Sequence, residues 1–172
     1  MRVTSKVTLD VKNLRALKEG LKRAGNAEIQ IGILGQKNAR DTGGSTHQSK
    51  GAMDNADLGA LHEFGSKKAN IPARSFLRMP TETKLPAEIK RLGPGTIAKN
   101  ILTRGAHETL REIGQIAEGE IDKAFATSGF GTWPDNSPRT IARKKGGNSP
   151  LIDTGKLRRA VSSRVVAKGG KR

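Results

Sequence analysis

The residues from Thr96 to Phe125 place the tightest constraint on any fold this chain adopts. Ile97, Ile101, Leu102, Ala106, Leu110, Ile113, Ala117, Ile121, Ala124 and Phe125 recur with a spacing near 3.6 residues. That period gathers them on one stripe of an α-helix about eight turns long, and the stripe must be buried against other elements. Gly105, Gly114 and Gly119 interrupt it, each weakening a helix by roughly 1 kcal/mol relative to alanine. Three glycines in one helix predict a break or a close packing contact.

Candidates for the facing layer lie upstream. Val3, Ser5, Val7, Leu9 and Val11 alternate with Thr4, Lys6, Thr8 and Asp10, the period of two of a half-buried strand. Asn13 is placed to cap a short helix with Leu14, Leu17, Leu21 and Ala24 on one stripe, stopped by Gly25. Alternation resumes from Glu28 to Leu34 through Ile29, Ile31 and Ile33. A strand, a helix and a strand within the first 34 residues predict a compact α/β start.

Gln36 to Met53 carries no apolar period. A structureless stretch of this length is uncommon inside a small domain, and it predicts a mobile loop that orders against a partner. Leu58, Leu61 and Phe64 predict a helix over Asn55–Phe64 with Gly65 as its stop. Pro72 biases Ile71 toward extended geometry. Pro80 and Pro86 punctuate the chain, and Gly93-Pro-Gly95 is a break. After Thr127–Gly131 ends the long helix, Trp133 to Pro138 is irregular. Asp153 or Thr154 can cap a short helix from Leu157 to Val161, and Val161, Ser163 and Val165 allow a last strand. The length predicts a single domain over residues 1–166, with 167–172 as a basic tail that frays.

Leu, Ile, Val and Phe supply 36 of the 172 residues, so the core is modest, and long parts of the chain are expected to be loop or to order only in an assembly. No apolar run approaches the roughly 20 residues of a membrane helix, and the basic start has no apolar stretch behind it as a secretory signal would. The absence of cysteine excludes disulfides, thiolate nucleophiles and Cys-ligated zinc. The net charge is +16, and it is unevenly spread. Arg139 to Arg172 holds eleven Lys or Arg against the single acid Asp153. Such asymmetry is the footprint of contact with a polyanion or an acidic protein surface. Sequence-neutral nucleic-acid binding is therefore one functional alternative. Sequence-specific reading is disfavoured by the lack of a helix–turn–helix, zinc-finger or RNA-recognition pattern, and 3% aromatics leave few platforms for single strands.

Catalytic constellations are lacking. The histidines are His47, His62 and His107. His62-Glu63 resembles the start of a zincin helix, but Ser66 stands where the second histidine is needed. Asp41 and Asp54 have no fixed spacing for acid–base work. Ser45, His47 and Ser49 lie in a glycine-bearing loop unsuited to a rigid triad, and Gly43-Gly44 lacks the Lys-Ser/Thr of a P-loop. The sequence predicts no enzyme, with no catalytic residue, metal ligand or cofactor.

Two pairs of segments rise above composition. Leu58-Gly-Ala-Leu-His-Glu-Phe-Gly65 followed by Ile71-Pro-Ala-Arg-Ser-Phe-Leu77 resembles the paired "hEFG … IPARPFL" signature of phage virion morphogenesis or tail-completion proteins. These belong to long-tailed, Mu-like and lambda-like phages and prophages. Trp133-Pro followed by Leu151-Ile-Asp-Thr-Gly-Lys-Leu157 resembles that family's C-terminal "W.P … LIDTG.L" element. Ser75 departs from the proline the family often carries, and Gln36–Met53 matches nothing in it.

The resemblance implies an α+β fold, with a small twisted, mainly antiparallel sheet packed on one long helix. It implies a structural protein of the virion neck that completes the tail tube or joins the tail to the head connector. Related proteins act as rings, often six-fold. The implied partners are further copies of the chain, tail tube or tail terminator proteins, head connector proteins and genomic DNA in the lumen, with no membrane. Interface candidates are Phe64, Arg74, Phe76, Arg78, Trp133, Arg143, Lys144 and Lys145. Phe64, Phe76 and Leu77 read as core more readily than as interface, whereas Arg74 and Arg78 serve equally as solvated charges and Trp133 equally as a lid on the domain's own core.

Overall fold

A computed structural model describes residues 11–35, 53–144 and 147–169, and it follows an α+β plan of helices with one two-stranded antiparallel sheet among those residues. α1 (Val11–Gly25) leads directly into β1 (Ala27–Ile33). Of the apolar stripe expected on α1, Leu17 and Ala24 are half-buried, whereas Leu14 and Leu21 are exposed. Gly20 is the residue of α1 buried most deeply, pressed on the Ile101 side chain with no room for a Cβ. Residues 3–10 of the expected first strand and 36–52 of the expected loop lie outside the described residues. Val11, the last residue of that strand, opens α1 instead.

β1 pairs with β2 (Val161–Ala167) in a register running from Ala27 opposite Ala167 to Ile33 opposite Val161. The sheet rests on α6 (Ala106–Ala126) at Gly114, where a Cβ would lie 2.5 Å from Ser163 Oγ and 3.3 Å from Ile29 Cγ2. That glycine permits close approach of helix and sheet. Glu118 of α6 also accepts the Ser163 backbone N–H at 2.5 Å, satisfying a donor on the β2 strand. Ala167 and Lys168 do not fray: Ala167 ends the ladder, and Lys168 donates its N–H to Asn26 O at 2.8 Å.

The helix expected over Thr96–Phe125 is two helices. α5 (Pro94–Arg104) stops at Gly105, whose φ of 89° and ψ of 164° lie outside helical space, and α6 begins at the next residue. Asn100 then donates to Glu112 at 3.0 Å across the turn, so α5 packs beside α6 rather than extending it. The apolar period runs on through this reversal, with Ile101, Ala106, Ala117, Ile121, Ala124 and Phe125 buried and Leu102 left 40% exposed. Two further helices, α3 (Arg78–Thr83) and α4 (Leu85–Leu92), occupy a stretch where prolines predicted only punctuation. Pro86 stands in the first turn of α4 and Pro80 in the first turn of α3, where a missing N–H costs no intrahelical bond.

The core gathers Phe76, Ile121, Ala124, Phe125, Trp133, Leu157 and Val161. Phe125 is its centre. Its ring lies 5.1 Å from Phe76 at 51° and 5.9 Å from Trp133 at 85°, the tilted and edge-on geometries that aromatic quadrupoles favour.

Candidate docking site

α2 (Asn55–Phe64) starts at Asp54, whose carboxylate accepts the Asp57 N–H at 2.8 Å. Its buried face is Asn55, Gly59 and Glu63, every fourth residue. Leu58 and Leu61, expected to lead that face together with Phe64, are half-buried, and Phe64 is 69% exposed. Gly59 explains the rotation: a Cβ there would lie 2.7 Å from Ile33 Cδ1 and 3.4 Å from the Phe76 ring. The close approach of these two side chains fixes which side of α2 faces inward.

Gly65 ends α2 with φ 72° and ψ 179°, a region close to glycine-only. Space demands glycine too, since a Cβ would lie 2.7 Å from Ala73 N and 2.8 Å from Ile71 O. A tight turn follows, closed by reciprocal bonds between Ser66 and Ile71 of 2.8 and 2.9 Å. Ser66 Oγ accepts the Ala69 N–H within that turn. Ser66, which stands where a zincin-like motif would need its second histidine, therefore shapes a loop, and among the described residues no cluster of metal donors forms.

Glu63 is 5% exposed, and its two carboxylate oxygens accept four bonds. These come from Ser75 Oγ at 2.5 Å and from the backbone N–H groups of Phe76, Leu77 and Arg78 at 2.8, 3.0 and 3.1 Å. Ser75 Oγ in turn accepts the Met79 N–H at 2.9 Å. A carboxylate on α2 thus caps the chain as it enters α3, where N–H groups have no intrahelical partner. Ser75 is part of the same cap.

Arg74 is 6% exposed and reaches the other way. Its Nε donates to Pro134 O at 2.9 Å and its Nη2 to Asp135 O at 2.8 Å, while its own N–H donates to His62 O at 2.7 Å. Burial pushes its pKa down, and nearby Asp135 opposes that shift. Trp133 Nε1 donates to Ser75 O at 3.3 Å. Beyond it, Ser137 caps α7 (Pro138–Arg143) through the Thr140 N–H. The short helix α8 (Lys156–Ala160) is entered through Gly155 in the left-handed conformation, φ 70°, rather than through a side-chain cap from Asp153 or Thr154.

Together these segments wall a groove of about 1140 Å³ between the turn after α2 and the stretches around α7 and α8. Of the interface candidates, Phe76 and Trp133 face the core, and Arg74 is committed to backbone carbonyls. Phe64, Arg78 and Arg143 are accessible, with the Arg78 guanidinium 5.9 Å from the Phe64 ring centre. Lys144 is half-buried and donates to Ser149 O, and burial pushes its pKa down. Lys145 lies outside the described residues. Sequence reasoning missed the cap made by Glu63. The signal was a carboxylate at the fourfold spacing of Asn55 and Gly59 on a helix followed by a proline-entered segment.

Comparisons with family models, with curated proteins and with solved structures return no match for this chain.

Proposed function

We propose that the chain is a structural protein of a phage neck, which completes the tail tube or joins the tail to the head connector by assembling into a ring. One observation carries this reading: the four segments that carry the family resemblance converge. Glu63 of the first holds Ser75 and Phe76 of the second, Arg74 of the second holds Pro134 of the third, and Leu157 of the fourth shares the core with Phe76 and Trp133. Strings matched by accident over the 100 residues from Leu58 to Leu157 have no reason to interlock in this way. On this reading α6 is the long helix of the class. Exposed Leu14, Leu21 and Leu102 offer apolar surface to neighbouring copies.

Electron microscopy of lysates from a phage with an early stop codon in this gene tests the reading. The expected result is filled heads beside separate or misterminated tails. Normal, joined and infectious particles overturn it. A second reading, sequence-neutral nucleic-acid binding, is favoured by the eleven bases against one acid from Arg139 onward. It requires duplex affinity from the purified protein alone, falling steeply as salt rises.

A further inference from the structure

The groove beside α2 has two chemistries at once. Its floor is apolar, formed by Leu58, Ile71, Leu151 and Leu157, of which Leu157 is 5% exposed. Its rim is basic, formed by Lys67 on the turn after α2 and by Arg143 and Lys144 at the end of α7. Lys67 and Arg143 are exposed and make no ion pair with any carboxylate among the described residues. Phe64 forms one wall and stands 69% exposed. The groove is open along its length and about 1140 Å³ in volume, with room for a length of polypeptide.

We infer that this groove docks an extended acidic segment of a different protein, one that sets apolar side chains on the floor and carboxylates against Lys67, Arg143 and Lys144. A second copy of this chain is a poor occupant. Its net charge is +16, and several of its helix carboxylates are engaged at home, Glu88 with Arg91, Glu108 with Arg111 and Asp122 with Arg158. Nucleic acid is a poor occupant as well. Phosphates gain nothing from an apolar floor, and the one aromatic wall already carries Arg78 near its face, which leaves no free ring for a base to stack on. Acidic peptides with interleaved apolar residues use both chemistries, the apolar anchors for affinity and the charges for orientation. The inference stands on the groove alone and holds whether or not the chain is a neck protein.

The test uses the full-length protein and a fluorescein-labelled dodecapeptide of alternating Glu and Leu. Expected is saturable binding, weakened at least tenfold by Lys67→Glu combined with Arg143→Glu, and weakened at least tenfold when every Leu of the peptide becomes Ser. Both substitutions are on exposed side chains, so an unchanged thermal midpoint shows that the double variant is folded. Methyl spectra are expected to place the bound peptide beside Leu58, Ile71, Leu151 and Leu157. Three results overturn the inference: no binding up to millimolar peptide, equal binding of the Ser-containing peptide, or equal competition by a twenty-residue thymidine oligonucleotide. The last two make the rim a general polyanion surface with no use for its floor.

Discussion

Glu63 accepts the backbone N–H of Phe76 at 2.8 Å, tying the last turn of α2 to a residue thirteen positions further on whose ring lies wholly inside the core. The bond joins a polar requirement to an apolar one. Without the carboxylate, the N–H groups of Phe76, Leu77 and Arg78 would be left without this acceptor where the chain enters α3. The burial of Phe76, with the Arg74 N–H on His62 O, in turn holds those groups near α2. The motif resembling "hEFG … IPARPFL" is therefore a folding device before it is a surface.

Replacing Glu63 with Gln keeps the shape but removes the charge and turns one acceptor oxygen into a donor facing other donors. Hydrogen bonds to charged groups contribute about 1.5–3 kcal/mol, and unsatisfied buried partners cost a similar amount. Glu63→Gln is expected to destabilise the protein by about 2–4 kcal/mol in urea unfolding followed by circular dichroism. A loss below about 0.5 kcal/mol would contradict the cap.

Much of this arrangement was legible in the sequence wherever one period dominated. Ile29, Ile31 and Ile33 fixed β1 to within a residue, and the bounds Asn55–Phe64 matched α2. The stripe through Ile121, Ala124 and Phe125 marked the core side of α6. Periodicity is blind to chain reversal, however, so Gly105 could be read as a weak point but not as a turn between two helices packed on the same stripe. It is also blind to burial of a charge. Glu63 and Arg74 are charged residues that the pattern assigns to solvent, and long-range hydrogen bonds place both inside. Phe64 shows the converse, an aromatic on the expected apolar face turned outward because Gly59 takes the inward position.

The two glycines inside α6, Gly114 and Gly119, are expected to respond differently. Gly119 of α6 is exposed, with no neighbouring atom within 4 Å of the place a methyl would take, so Gly119→Ala should stabilise by about 0.5–1 kcal/mol through lost backbone freedom in the unfolded chain. At Gly114 the same change drives a methyl to 2.5 Å from Ser163 Oγ and should destabilise instead. Thermal midpoints that move in opposite directions support the packing of the sheet on α6. Equal shifts would mean that β2 does not lie there.

The acid limb of stability has a local contributor at the start of α6. Glu108 has its pKa lowered chiefly by the hydrogen bond from Arg111, with smaller help from His107. A carboxyl whose folded pKa lies below its unfolded value stabilises above the unfolded pKa, and that stabilisation is lost as pH falls through the folded one. The pair is exposed, so the effect is small and screened by salt. Glu108→Gln should therefore lower the midpoint slightly at pH 7 and leave it unchanged below the folded pKa of Glu108. An equal difference at both pH values would assign the effect to something other than this charge.

Trp133 is the sole tryptophan, 8% exposed, with its ring edge-on to Phe125 and its Nε1 on Ser75 O. Its emission is expected to be blue-shifted in the native protein and to move red in the same transition that circular dichroism reports. Trp133→Phe removes one hydrogen bond and leaves a gap beside Phe125, for an expected loss of about 1–3 kcal/mol. Gly129→Ala attacks the same packing from outside the ring, since its methyl would run into the Trp133 indole and its φ of 68° suits glycine. It should shift native emission as well as stability. Solvent-like native emission, or a Gly129→Ala variant with unaltered spectrum and midpoint, would remove Trp133 from the core and make it available as an anchor for a partner.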